Sequence, residues 1–360
     1  MGPPALSILG LILVTATALA LGEIVSGPSP AGFSRAEHRA IRHMAGAGLL
    51  SMGVMLLAWA GVVSPAVFIG ISAISLGRLL WPLRGHIRAA SMTTFRLSWP
   101  SAGAIGASLG LLVFGVMYTI VALAPETSPD GSGYHLGAVH KYLLDGKMSP
   151  QQEDMYWMLY QGGEMLYLFA SAIGTYSSAA LLHLTFLADL AILVAGFASR
   201  HGRPQSGIAA SILIVACPVI GRCATTAYVD VMVAAILFSA FVLLEAYSRS
   251  FDRRTVLLGS LLLGFGISVK ITAVVALGLL ISVTLWAYFA RRENLSSLVA
   301  GAAIVALYVA PWSIRNWLWY QNPVAPMFNR WFPNDHVFVS LEEGWRQALQ
   351  ALGGTMALSE

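Results

Sequence analysis

Apolar stretches of about 16 to 23 residues recur along most of the chain, and short polar segments rich in arginine separate them. Crossing the hydrocarbon core of a bilayer as a helix takes roughly 20 apolar residues. The pattern therefore predicts an all-α, polytopic transmembrane bundle of about ten spans, beginning near residues 5, 44, 65, 102, 177, 206, 225, 255, 272 and 297. A membrane β-barrel needs alternating apolar and polar residues over about ten positions per strand, and that alternation is absent. The stretch from Leu6 to Ile24 has no basic residues before it and no small-residue cleavage site after it, so it reads as a span and not as a signal peptide. Neither internal repeats nor low-complexity segments interrupt the pattern.

Composition agrees, with 57% hydrophobic and only 11% charged residues, too few charges for the surface of a water-soluble domain. The charges orient the spans. Fourteen of the 21 Lys and Arg residues fall in alternate connections: Arg35, Arg39 and Arg42; Arg78, Arg84, Arg88 and Arg96; Arg200 and Arg203; Arg249, Arg253 and Arg254; Arg291 and Arg292. The positive-inside rule makes these connections cytoplasmic. Lys141, Lys147, Arg222, Lys270, Arg315, Arg330 and Arg346 then lie outside, with Glu126, Asp130, Asp145, Glu153, Asp154, Glu164, Asp230, Asp335, Glu342, Glu343 and Glu360. Both termini face outward in this topology. The chain divides into a four-span extension (1–124), an outer loop (125–176), a transmembrane core (177–316) and an outer C-terminal segment (317–360). The basic residues sit in short connections that topology explains, so nucleic acid is not an expected partner. Cys217 and Cys223 flank Pro218 at a spacing that suits neither zinc nor redox chemistry.

The outer loop carries two expected interfacial helices. From Tyr134 to Leu144 the spacing places Leu136, Val139, Leu143 and Leu144 on one face, predicting an amphipathic helix along the membrane surface. Glu164 to Ile173 is apolar but too short to span, which predicts an interfacial or re-entrant helix ending at Gly174. Asp130, Arg222, Asp230, Lys270 and Arg315 come from different outer connections to one level. Lys270 stands about 22 Å along its helix in a core about 30 Å thick, so its ammonium must snorkel or meet an acid or a lipid phosphate. Asp230 either complements a helix N-terminus or lines a polar cavity. Arg315 is an interfacial residue or a phosphate ligand, and Trp312, Trp317, Trp319 and Tyr320 read as an aromatic belt. Asp189, near the middle of a span with no basic partner evident at its depth, keeps open a proton-coupled transporter or lipid flippase. His135, His140, Glu153 and Asp154 raise a divalent metal, but histidines five apart do not share a helical face, and no metal or other cofactor is expected.

Taken in order, these segments resemble the GT-C superfamily of membrane glycosyltransferases, in particular bacterial members similar to protein O-mannosyltransferases and the aminoarabinose transferase of lipid A. The resemblance runs from about Asp130 to Phe328. It is carried by Asp130 four residues before Tyr134-His135-Leu136, the Glu-Met-Leu-Tyr from Glu164 and the Leu-Leu-His ending at His183. It continues through the Ala-Thr-Thr-Ala-Tyr-Val-Asp ending at Asp230, Lys-x-Thr-Ala from Lys270, and Pro-Trp-x-x-Arg-Asn-Trp with Asn-Pro-Val through Arg315 and Asn322. It implies a GT-C-like fold in a bacterial inner membrane. It also implies an inverting transfer of sugar from a polyprenyl-phosphate donor, drawn from the membrane lipids, to a glycan, lipid or protein acceptor on the non-cytoplasmic side. Asp130 would be the general base, and Lys270, Arg222 and Arg315 would hold the lipid phosphate. Tyr134, His135, Asp230 and Glu164 would orient substrate. This chain departs from such proteins in having Gly131 after Asp130 and Pro129 before it. It also stops at Glu360, where they continue into further spans, so a shortened or truncated homologue is expected. A non-catalytic subunit of a membrane assembly is the remaining alternative.

Overall fold

The computed structural model describes residues 2–80, 102–150, 155–291, 295–333, 343–344, 346–348 and 350–351, and no strand occurs among them. Arg84, Arg88, Arg96, Arg292, Glu153, Asp154, Asp335, Glu342 and Glu360 lie outside the described residues. The long helices are α1 (Pro3–Ser26), α2 (Arg35–Trp59), α3 (Pro65–Leu80) and α4 (Ala102–Leu123). A π-helical turn (Gly131–His135) leads into α5 (Leu136–Asp145), and a 3-10 turn (Met155–Met158) precedes α6 (Gly162–Ile173). Then come α7 (Ser177–Arg200), α8 (Pro204–Ala216), α9 (Pro218–Ala224), α10 (Asp230–Ser250) and α11 (Arg253–Val269). A 3-10 turn (Ile271–Ala276) continues into α12 (Leu277–Arg291), and α13 (Ser296–Tyr320) follows.

Most helices begin near the expected positions, but the one expected near 225 starts at Asp230. Among the described residues, six helical units are long and apolar enough to cross a membrane, and a seventh exists if α8 and α9, bent by 67° at Cys217–Pro218, form one broken span. Helix α2 begins nine residues before the expected position. Ser34 and Glu37 make a reciprocal capping box, with Glu37 N–H donating to Ser34 Oγ at 3.2 Å and Ser34 N–H to Glu37 Oε2 at 2.9 Å. The same Glu37 pairs with Arg200 at the end of α7, whose guanidinium lies over the Phe33 ring.

Small residues decide which helices touch. A Cβ at Gly46 would fall on the Ala18 carbonyl, and one at Gly22 on the Arg42 carbonyl, so α1 and α2 cross backbone to backbone. The break between α8 and α9 leaves the Val215 carbonyl without its helical donor. Tyr118 of α4 supplies one at 2.7 Å, entering where Gly221 has no side chain.

Helix α6 is not at a surface. It is buried from Gly162 to Ser171 and packs on α1, α2, α3, α5, α7 and α11, so it is an internal short helix and not an interfacial one. It is apolar all round apart from Glu164 at its start, and such a helix is stable only inside a bundle. Helix α5 packs on α6 through Leu136, Ala138, Val139 and Tyr142, while Leu144 of the expected apolar face is 70% exposed.

Replacing Gly46 by Val is expected to force α1 from α2 and cost about 1–3 kcal/mol, the usual range for overpacking. A thermal melt in detergent unchanged from the wild type would contradict that contact.

Candidate functional site

A cavity of about 610 Å3 opens at the end of the bundle where α10 starts and α11 stops, opposite the end that carries Arg249, Arg253 and Arg254. Its wall is built from segments distant in sequence: Tyr134 and His135, the loop from Met155 to Gln161, Glu164, Val229, the break from Val269 to Thr272, and Pro326 to Trp331 with Arg346.

Two glycines bring α6 to that wall. A Cβ at Gly162 would stand 2.5 Å from Ser268 Oγ, and one at Gly163 would stand 2.6 Å from Val229 Cγ1, so the start of α6 lies directly against the end of α11 and the approach to α10. Ser51 of α2 donates to the Gly162 carbonyl at 2.7 Å and holds the helix there. Glu164, one residue on, then meets His135 across the chain, Oε1 to Nδ1 at 2.5 Å, with both side chains 5% exposed. With Glu164 as a carboxylate, which only accepts, Nδ1 is the donor of this contact. Tyr134 is half-buried and stacks on Tyr156 at 4.8 Å. Burial first, then the negative charges of Asp130, Glu164 and Asp230, push its phenol well above the usual range, so it stays a neutral hydroxyl.

The approach to α10 is pinned from three sides. Glu126 accepts from Ala227 N–H at 2.6 Å and from Ser128 N–H at 2.8 Å, and Tyr167 donates to the Tyr228 carbonyl. His183 accepts from Met232 N–H at 3.1 Å through Nε2, which leaves Nδ1 to donate to the Thr226 carbonyl at 3.0 Å. The segment so fixed delivers Asp230, which pairs with Lys270 at 2.6 Å. Lys270 stands in the break after α11, in extended backbone, and its ammonium meets an acidic side chain. Asp230 and Lys270 are 49% and 45% exposed, so the pair is open to a competing partner.

The remaining expected residues lie apart from the lining. Asp130 is exposed at the head of the π-helical turn, reaching the site only through its charge on Tyr134. Arg222 lines a separate hollow of about 330 Å3 with Glu126, Tyr118 and Tyr176. Arg315 is fully buried, neither interfacial nor at the cavity surface. It donates to the carbonyls of Met158 and Leu159 at 2.9 and 2.8 Å, to Gln161 Oε1 at 3.1 Å and to Asn316 Oδ1 at 2.9 and 2.6 Å, with Trp312 and Trp319 over its guanidinium. It ties the Met155–Gln161 wall to α13 from behind. Trp312 and Tyr320 are each 1% exposed and belong to the interior, not to an aromatic belt, whereas Trp317 is 48% exposed.

Sequence reasoning did not single out Gln161, Tyr156, Phe328, Arg330, Trp331 or Arg346 as site residues, and all of these line the cavity. Their segment is shaped by buried asparagines: Asn316 donates to Met158 and Ala325 carbonyls, and Asn322 to Met327 carbonyl and Asn329 Oδ1. Asparagine recurring at 316, 322 and 329 among apolar residues was the available signal. Among the described residues no three His, Cys, Asp or Glu side chains are grouped to hold a metal ion, and His140 turns instead to the Tyr176 hydroxyl at 2.6 Å.

A second buried histidine–acid pair lies away from the cavity. His43 of α2 meets Asp189 of α7 at 2.6 Å, so Asp189 has a partner after all.

Burial opposes ionisation of Glu126, but hydrogen bonds from Ser128, Ala227 and Thr127 outweigh it and hold its carboxyl below the ordinary range. A depressed carboxylate stabilises the fold above its unfolded-state pKa and loses that contribution as pH falls through the folded value. Glu126→Gln should therefore flatten the acid limb of a melting-temperature profile, and a limb identical to the wild type would contradict the anchoring role. Compared with known protein families, curated proteins and solved structures, the chain matches none of them.

Proposed function

We propose that the chain is a GT-C-like membrane glycosyltransferase of about ten spans in a bacterial inner membrane. It would move a sugar, with inversion, from a polyprenyl-phosphate donor to an acceptor on the non-cytoplasmic side, to which the cavity would open. The observation that carries this reading is the mixed character of one cavity. Lys270, Arg330 and Arg346 supply positive charge, Val269, Ile271, Met327, Phe328 and Trp331 supply apolar surface, and Tyr134, His135 and Glu164 supply polar chemistry. A lipid phosphate carrying a sugar has the same three parts. Cations beside the phosphate offset the charge that grows on it as the glycosidic bond breaks, where electrostatic help acts most. The Asp230–Lys270 pair is half-exposed, so the donor's phosphodiester anion can take Lys270 from Asp230, and the second charge that grows on the phosphate as the bond breaks strengthens that contact.

Membranes containing the full chain, supplied with polyprenyl-phosphate mannose, glucose or arabinose labelled in the sugar, are expected to transfer label to an acceptor. Lys270→Ala should slow that transfer about 100-fold, the scale of losing one transition-state donor. Folded wild-type protein that transfers none of the three sugars would sink the reading.

One observation favours proton-coupled transport or lipid flipping instead. Asp189 lies twelve residues into α7, about 18 Å from its start, so the His43–Asp189 pair stands deep in the bundle with His43 Nε2 buried and unpartnered among the described residues. That reading expects Asp189→Asn to abolish pH-gradient-driven movement of labelled polyprenyl phosphate across proteoliposomes, and movement at the wild-type rate counts against it.

A further inference from the structure

We propose that His135, held by Glu164, is the general base that takes the proton from a hydroxyl acceptor, a proposal that rests on the glycosyltransferase reading. The three described histidines that are fully enclosed differ in what their ring nitrogens do. His183 uses both, one on Thr226 and one on Met232, and serves to cap α10. His43 faces Asp189 away from the cavity. His135 lines the cavity, has Nδ1 committed to Glu164, and so keeps Nε2 as the ring nitrogen with a lone pair.

The surroundings fix that ring. Tyr134 lies against it at 4.2 Å and Tyr228 at 6.1 Å, and the start of α6 cannot withdraw without unseating Gly162 and Gly163. The charged groups nearby are Glu164 itself, Asp230 with Lys270, and Asp130 at the head of the turn. Glu164 Oε2 is buried without a partner among the described residues, so the carboxylate is committed to His135 through Oε1. An orphaned buried acceptor is costly, and a mere tether between two segments does not require one. Asp130, the sequence-level candidate for this task, is exposed and outside the lining.

The step balances as follows. The acceptor oxygen forms a bond to the anomeric carbon while its proton passes to His135 Nε2. The bond from that carbon to the phosphate oxygen breaks, and its electron pair leaves with the lipid phosphate. Glu164 stabilises the imidazolium so formed, as a carboxylate behind an imidazole does in acyl transfer, and the proton then passes to water. The substrate class follows from this chemistry. An alcohol must lose a proton as it attacks, whereas a phosphate or carboxylate oxygen carries none to lose at neutral pH.

The test uses the full chain in detergent with labelled polyprenyl-phosphate sugar, and native mass spectrometry with undecaprenyl phosphate as the check that each variant is folded and binds lipid. His135→Ala and His135→Gln are expected to lower kcat about 100-fold or more with the donor KM nearly unchanged, and imidazole should restore part of the rate to His135→Ala. Glu164 is a positioning residue. Glu164→Gln should lower kcat with the donor KM nearly unchanged and Glu164→Asp should restore part of it, a split that a purely structural contact would not give. Asp130→Asn should cost less than His135→Gln. Lipid-binding His135→Gln protein that transfers sugar at the wild-type rate, or transfer abolished by Asp130→Asn and untouched at His135, would overturn the assignment while leaving the glycosyltransferase reading intact. Wild-type protein that binds undecaprenyl phosphate and transfers nothing would overturn both.

Discussion

A helix that stops inside a membrane bundle leaves carbonyls and N–H groups that water cannot reach, and each must find a partner within the protein. This chain stops helices inside the bundle repeatedly, and its cavity lies where those stops converge. The start of α6, the start of α10, the break after α11 and the loop before α6 all meet there. Three of these stops have dedicated partners, and so does the break between α8 and α9. Ser51 serves Gly162, Glu126 and His183 serve the approach to α10, Arg315 and Asn316 serve Met158 and Leu159, and between α8 and α9 Tyr118 serves Val215. The polar residues of the bundle are largely spent on this task, and they thereby set the positions of the few that remain for chemistry.

That division separates charges by role. Arg315 donates to several protein acceptors at once and is fully enclosed, so it acts as a rigid cross-brace whose loss would leave carbonyls stranded. Lys270 has one acidic partner and about half its side chain exposed, so it can change partners during a reaction. His135 and Glu164 fall between these cases, enclosed yet lining the cavity. Burial strengthens their interaction because little water competes for it. The opposite end of the bundle shows what an ordinary solvated arrangement looks like: Arg249 with Glu245 and His201, the guanidinium half-exposed and placed at helix ends where it complements the carbonyl dipoles.

Glycine sets the geometry at which these groups meet. Gly46 and Gly22 let α1 and α2 touch through their backbones, and Gly162 and Gly163 let α6 reach α11 and Val229. In both places a side chain would move a helix by more than the tolerance of a hydrogen bond. The cavity wall, the histidine–carboxylate contact and the Asp230–Lys270 pair consequently depend on residues that have no chemistry of their own.

Hydrophobic periodicity by itself determined that the chain is helical and roughly where its long helices lie, because burial in an apolar medium dictates both one segment at a time. Ordered motifs also pointed to Tyr134, His135, Glu164 and Lys270, which the structure gathers on one wall. Which residues touch was a different matter. The pairs Glu164–His135, Asp189–His43 and Lys270–Asp230 join positions 29, 146 and 40 residues apart. Arg315 and Trp312 carry interfacial residue types yet are interior, and Arg330 and Arg346 have ordinary loop contexts yet line the cavity. Only the tertiary structure decided these, because the hydrogen-bond needs of broken helices are met across the bundle, between segments whose proximity no local pattern records.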